Sequence, residues 1–285
     1  MRILFLGDIV GRTGRDAVCA AVPTLRRDLD LDFVIACGEN AAHGFGLSPK
    51  LCDQILGAGV DLITLGNHAW DQRDIIPYIG TQPRLLRPAN FPPGTPGQGA
   101  ALLTDGRGRR LLVVQVMGRL FMDPLDDPFA VVLREIAAAP LGGPPGRGAD
   151  AILIDMHAEA TSEKMAIAHH LDGQVSAVIG THTHVPTADA QILPGGTAYQ
   201  SDAGMCGDYD SVIGMVKQPA TQRFVRKMPT DRLTPADGPA TVCGVVVETD
   251  DASGLARSVT PVRLGGRLEA TGPARAPRTP APGPA

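Results

Sequence analysis

The feature that most restricts this chain is a short apolar run that keeps recurring and ends, time after time, beside a polar residue. RILFLG at 2–7, DFVIACG at 32–38 and DLITLG at 61–66 are separated by intervals long enough for helices, and the pattern returns in DAILIDM at 150–156 and VSAVIG at 175–180. Such runs lack the strict alternation of a half-exposed strand, so they fit parallel strands buried on both faces. Segments around 13–29 and 48–58 then supply crossover helices. Ser48-Pro49 provides an N-cap and a first-turn proline for the second, and Pro23 is expected to divide or bend the first. Residues 100–104 and 110–117, joined by Asp105-Gly-Arg-Gly-Arg109, read as a hairpin. Helices are expected at 127–139 and 161–171, with Gly/Pro-rich loops at 83–99 and 140–149. Beyond 186 the runs near 188–193, 197–200, 240–249 and 257–263 favour antiparallel strands. The fold class is therefore α/β, with strands alternating with helices and a smaller β portion at the end.

Composition removes several classes of function. The 285 residues carry 26 Lys and Arg against 30 Asp and Glu, a formal charge of −4, and 44% are hydrophobic. That balance excludes a wholly disordered chain and a histone-like basic protein. No run approaches the roughly 20 apolar residues that span a bilayer, and Asp8 interrupts the first apolar stretch too early for a secretory signal. A soluble cytoplasmic protein without membrane partners is expected. The five cysteines (Cys19, Cys37, Cys52, Cys206, Cys243) are scattered and never in CxxC spacing, so they read as reduced thiols, mostly in the core. From 267 to 285 the chain is Pro/Ala-rich with almost nothing to bury, which predicts a disordered tail behind a domain spanning 1–266.

The polar residues that follow the apolar runs are Asp8, then Glu39 and Asn40, then Asn67 and His68, then His157, then His182 and His184. In an open parallel sheet the carboxyl ends of strands face a common crevice where ligands bind. Carboxylate, amide and imidazole would thus meet in one place. Imidazole combined with oxygen donors suits Zn, Mn or Fe, whereas Mg or Ca prefers oxygen throughout. Seven candidate ligands, His68 left aside, exceed the three or so of one open catalytic ion, so two metals fit the count. Val185-Pro186 turns the chain and lets both imidazoles of His182-Thr-His184 approach. His43, His169 and His170 follow no strand and are assigned no role; Arg12, Arg15 and Arg73 read as solvated. Gly7, Gly11 and Gly14 lack the spacing of a dinucleotide fingerprint, and neither a P-loop nor a nucleophile elbow occurs.

Taken in order, GDIVGRTGR, GENAAHGFGL, GNHAWD, HAEATSEK, GTHTHVPTAD and SDAGMCGDYDSVIG resemble the YmdB-type branch of the binuclear metallophosphoesterase superfamily, over nearly the whole chain apart from the tail. The resemblance implies a four-layer α-β-β-α sandwich of the calcineurin-like type. It implies two transition-metal ions per chain, Fe or Mn ahead of Zn. Asp8, Glu39, Asn40 and His184 would hold one, and Glu39, Asn67, His157 and His182 the other, with Glu39 as the bridge. His68 would bind neither ion and would act as general acid. The wider superfamily's D-x-H is here Asp8-Ile9-Val10, which lacks the histidine. Its bridging Asp is Glu39, with Asn40 in place to supply the lost ligand. Asp71 is a candidate to orient His68, an assignment that fails if it lies out of hydrogen-bond reach. The implied activity is phosphodiester hydrolysis, by in-line attack of a hydroxide shared by the metals, on small substrates such as 2′,3′-cyclic nucleotides, in a homo-oligomer. Three rivals stand beside it. They are a phosphomonoesterase acting on nucleotides, a regulatory RNA-associated protein with a structural metal site, and a metal-dependent amide hydrolase. The charge of −4, one Trp and three Tyr weigh against an RNA-binding stripe, and the missing H-x-H weighs against the amide hydrolase.

Overall fold

The computed structural model describes residues 1–143 and 148–274. Its elements run β1 (Arg2–Leu6), β2 (Asp8–Ile9), α1 (Gly11–Asp28), β3 (Phe33–Cys37), α2 (Pro49–Gly57), β4 (Leu62–Thr64), α3 (Ile75–Ile79) and β5 (Leu85–Leu86). There follow β6 (Ala100–Thr104), β7 (Arg110–Met117), α4 (Pro128–Ala138), β8 (Ala151–His157), α5 (Thr161–His170) and β9 (Ala177–Thr181). The chain continues through β10 (Gln191–Ile192), β11 (Ala198–Gln200), β12 (Met205–Asp208), α6 (Lys217–Arg226), β13 (Ala240–Thr249) and β14 (Ala256–Leu264).

These strands make two sheets. The first has the order β2-β12-β13-β1-β3-β4-β5, with β14 added on β13; the second has the order β10-β11-β9-β8-β7-β6. The apolar runs of the sequence pair in parallel, β1 with β3, β4 and β5 in one sheet, and β7 with β8 and β9 in the other. The expected hairpin is β6/β7, and β13 runs antiparallel to both β1 and β14.

Side-chain parity separates three apolar layers, because successive residues of a strand point to opposite faces. Leu4, Leu6, Val34, Ala36 and Ile63 pack outward with Val18, Val22 and Ile55 of α1 and α2. Ile152, Ile154 and Met156 pack outward with Val132 and Ile136 of α4 and Ile167 of α5. Ile3, Phe5, Phe33, Ile35, Leu111, Val113, Leu153 and Ile179 fill the space between the sheets. Helix, sheet, sheet and helix therefore form the four layers, and Phe5, fully buried, contributes about 1.5–3 kcal/mol to the middle one.

Four expectations need correcting or completing. Pro23 lies inside α1 on its exposed side and does not divide the helix, which runs on to Asp28. Of the run near 188–193, Gln191–Ile192 forms the strand, paired with β11. The loop at 83–99 contains β5, and α6 follows β12 without having been expected. Past β14, the Arg267 N–H donates to Thr241 Oγ1 at 3.1 Å and Thr271 pairs with Arg263, so the chain turns back over β13 and β14. The rest of the expected tail, from 275 on, and residues 144–147 of the 140–149 loop lie outside the described residues. No helix among the described residues is long and apolar enough to cross a membrane.

Candidate metal centre

The middle layer changes character toward the carboxyl ends of its strands. On β8 the inward residues read Ala151, Leu153, Asp155, His157; on β9 they read Ala177, Ile179, Thr181; β3 ends on Cys37. The polar group on each strand is thus the next inward position after the apolar ones. Buried polar groups need partners, and here they find one another. Gln115 Oε1 accepts from the Leu65 N–H at 3.0 Å and Gln115 Nε2 donates to Asp155 Oδ2 at 3.1 Å. The Thr181 hydroxyl donates to Asp155 Oδ1 at 2.7 Å, and its oxygen lies 2.9 Å from His157 Nδ1. Burial raises the Asp155 carboxyl to about 6. Because Thr181 spends its proton on Asp155, it accepts from His157 Nδ1–H, and His157 is left facing the crevice with Nε2.

Around that nitrogen the structure gathers Asn67 Oδ1 at 2.9 Å, Glu39 Oε1 at 3.2 Å and His182 Nδ1 at 3.2 Å. One ring nitrogen carries at most one proton, which cannot serve both the Asn67 and the Glu39 oxygen. The surplus of lone pairs is the donor arrangement of a cation site. Gly66 keeps the space open, since a Cβ there would run into both His157 Nε2 and Glu39 Oε2.

Beside this group Asp8, fully buried on β2, accepts from the His182 N–H at 3.1 Å and from Cys37 Sγ at 3.4 Å. His184 Nε2 stands 3.9 Å from Asp8 Oδ1, while its Nδ1 donates to the Ile213 carbonyl at 2.8 Å. Asn40 donates from Nδ2 to the Gly44 carbonyl at 3.0 Å, which fixes its amide, and its buried Oδ1 has no partner among the described residues. An orphaned buried oxygen is costly, and it fits a ligand waiting for a cation. Six of the seven expected ligand residues are thus linked to one another, with Asn40 next to Glu39 in the chain, and their hard oxygens and imidazole nitrogens fit a divalent metal.

Electrostatics follow from burial and proximity. Burial alone would lower His157, but the Glu39 carboxylate overrides it and lifts the imidazole to about 9. Burial likewise opposes Glu39, yet His157 pulls its carboxyl below the usual range. His182 is lowered to about 3 by burial and by the charge on His157, so it presents a neutral ring. Asp8 is raised, chiefly by burial.

His68 sits at the rim. Its backbone N–H donates to Glu39 Oε2 at 2.9 Å, its ring meets Phe45 edge-on at 5.2 Å, and Asp71 Oδ2 lies 2.8 Å from Nδ1. Asp71 is therefore within hydrogen-bond reach. His169 and His170 fall in the last turn of α5, and exposed His43 lies on the loop after Asn40. Sequence reasoning missed Glu159, whose Oε2 is 3.2 Å from His182 Nε2, and the Asp155–Thr181 pair. It also took Cys37 for an ordinary core thiol. Asp155 alone left a signal, as the one acid inside an apolar run.

Known proteins bear on this geometry. The chain is 49% identical over 251 residues to a 2′,3′-cyclic-nucleotide 2′-phosphodiesterase of Bacillus subtilis, covering 88% of this chain and 92% of that protein. It superposes on the crystal structure of a hypothetical protein from Thermus thermophilus with a TM-score of 0.85 at 44% identity, covering 94% of this chain and 100% of that one. A novel phosphatase from Mycoplasma pneumoniae gives 0.84 at 32% identity, covering 93% of each. The model of the YmdB-like protein family matches residues 4–262. With nearly the whole chain matched, this protein belongs to the YmdB-like family.

Proposed function

We propose that this protein hydrolyses small phosphodiesters with two divalent transition ions, iron or manganese ahead of zinc, and that 2′,3′-cyclic nucleotides are its substrates. The observation that carries the proposal is the convergence of Glu39, Asn67 and His182 on His157 Nε2 from separate strand ends. The name of the Bacillus subtilis relative supports the substrate class.

Asp8, Glu39, Asn40 and His184 would hold one ion, and Glu39, Asn67, His157 and His182 the other. Bound there, such ions supply Lewis acidity at the phosphoryl oxygens and a nucleophile at neutral pH. The protein's own groups do the rest. The Asp8 and Glu39 carboxylates offset the positive charge, and the Thr181–Asp155 pair keeps the His157 proton on Nδ1, so that Nε2 stays a donor of electrons. His68 is held against the cluster by its backbone bond to Glu39. With Nδ1 tied to Asp71, its Nε2–H is the proton that reaches the leaving oxygen, and Asp71 steadies the imidazolium before transfer. Phe45 covers one side of that ring and limits water there.

Metal analysis of purified protein, followed by parallel assays on a 2′,3′-cyclic nucleotide, a linear diester and a nucleoside monophosphate, tests the proposal. Two ions per chain with turnover of the cyclic diester are expected. Turnover confined to the monoester would replace the diesterase by a phosphomonoesterase. Protein that holds metal but hydrolyses none of the three would favour the RNA-associated role with a structural metal site.

A further inference from the structure

Two of the six motifs that carry the resemblance contain charged residues that the mechanism does not use, Lys164 in HAEATSEK and Asp202 in SDAGMCGDYDSVIG. Both are buried, at 0% and 1% exposure. Lys164 projects from α5, and its stem passes Gly180, 3.0 Å from where a Cβ would stand. Gly180 is required chiefly by the Ser201 carbonyl, 1.7 Å from where a Cβ would stand, and the Lys164 ammonium donates to the Thr181 carbonyl at 2.7 Å and to Asp202 Oδ2 at 2.9 Å. Asp202 Oδ2 also accepts from the Thr183 N–H at 3.0 Å and the Thr183 hydroxyl at 2.8 Å, while Oδ1 accepts from the Gly204 N–H at 2.8 Å. The Asp202 backbone is tied to Thr187 as well, donating to its hydroxyl at 3.0 Å and accepting from its N–H at 3.1 Å.

The segment held at these points is 181–187, and it carries two candidate ligands in an unusual conformation. His182 has φ 95° and His184 has φ 67°, both in the left-handed region that side chains other than glycine avoid. Such residues persist only where their surroundings over-determine them. Thr183, between the two histidines, is gripped at N and Oγ1 by Asp202; Thr181 is gripped by Lys164 ahead of them and Thr187 by Asp202 behind. Stability alone does not account for the ion pair, because a buried pair is on average no better than well-packed apolar residues.

We infer that Lys164 and Asp202 are positioning residues that set metal affinity by fixing the His182–Thr183–His184 segment against the cluster. The inference rests on the metal-centre reading above. Removing the pair frees both imidazoles to relax toward ordinary φ values and away from Asp8 and His157. Partners of this kind beyond the ligands are typically worth about 10–100-fold in affinity.

Manganese dissociation constants, measured by chelator competition and by the spin resonance of bound Mn(II), test it in the full chain. Three variants are compared with wild type: Thr183→Val, Thr183→Ser, and the charge-removing double variant Lys164→Met with Asp202→Asn. Thr183→Val is expected to weaken manganese binding about tenfold and the double variant up to about 100-fold, while Thr183→Ser, which keeps the hydroxyl, stays at the wild-type value. A pair that serves stability only would lower the melting temperature of the metal-free variants and leave manganese affinity unchanged; that result overturns the inference. If the double variant does not fold, the Val and Ser substitutions decide between them. Wild-type protein that takes up no manganese or iron would sink the metal-centre reading, and this inference with it. Binding by wild type with unaltered variants would sink the inference alone.

Discussion

The two sheets bring different chemistry to the crevice. The first, through the ends of β1–β4, contributes oxygen donors: the carboxylates of Asp8 and Glu39 and the amides of Asn40 and Asn67. The second, through β8 and the turn after β9, contributes imidazoles: His157, His182 and His184. His68 also belongs to the first side but lies at the rim against Asp71. Neither face alone has the donor set of the proposed metal centre; one is hard and anionic, the other nitrogenous, and only the packing of the middle layer brings them together. In the metal-free chain the faces satisfy each other, as His157 holds a proton against Glu39. That proton does part of a cation's work, and a metal has to displace it.

The asymmetry is broken most severely at Glu39, which the proposal places on both ions. Glu39→Ala is expected to empty both positions and reduce hydrolysis to background, whereas His157→Ala, from the imidazole face, should cost one ion and leave the other. Metal counting on folded, purified variants checks this. Two ions retained by Glu39→Ala would end its bridging role, and equal losses in the two variants would erase the difference between the faces. His68→Ala should cut turnover by roughly 10²-fold or more with metal content intact, the scale of a lost general acid. Unchanged turnover would remove His68 from the mechanism.

Proton displacement gives the next effect. His157 is raised from 6.5 to about 9, so its contribution to the stability of the metal-free protein is complete below about 6.5 and is lost as pH rises through about 9. Metal binding needs the neutral ring and moves the other way. Between 6.5 and about 9, manganese affinity should therefore rise by about tenfold per pH unit, and the melting temperatures of loaded and metal-free protein should draw apart. Affinity that is flat across that window would mean that His157 binds metal without first giving up a proton.

What was legible in the sequence divides along physical lines. Strands buried on both faces write themselves as apolar runs, and the residues just beyond them were readable as a crevice because a strand end fixes where its next side chain goes. Pro23 does not divide α1, because an exposed proline in a long helix removes one hydrogen bond without ending it. Lys164 was not legible as a buried residue: within TSEKMAIAHH nothing distinguishes it from the exposed polar residues around it, and its partner Asp202 is 38 positions away. The left-handed φ of His182 and His184 was equally hidden, since neither residue is glycine and the bonds that hold the segment come from distant Asp8, Lys164 and Asp202. Asp71 lay between these cases, close enough in sequence to be nominated and too dependent on the turn after β4 to be placed.

The smallest effect belongs to that last residue. Asp71 is about 40% exposed and its partner about 27%, so solvent screens the pair and its value lies at the low end for a hydrogen bond to a charged group. Asp71→Asn keeps a side-chain oxygen that can still accept from Nδ1–H, but removes the charge that favours the imidazolium. A fall of roughly tenfold in kcat is expected, with KM, metal content and melting temperature unchanged. A loss as deep as that of His68→Ala would show instead that Asp71 decides whether the ring points at the leaving oxygen at all. In that case the rim is as finely set as the two faces below it, and the difference between rim and centre disappears.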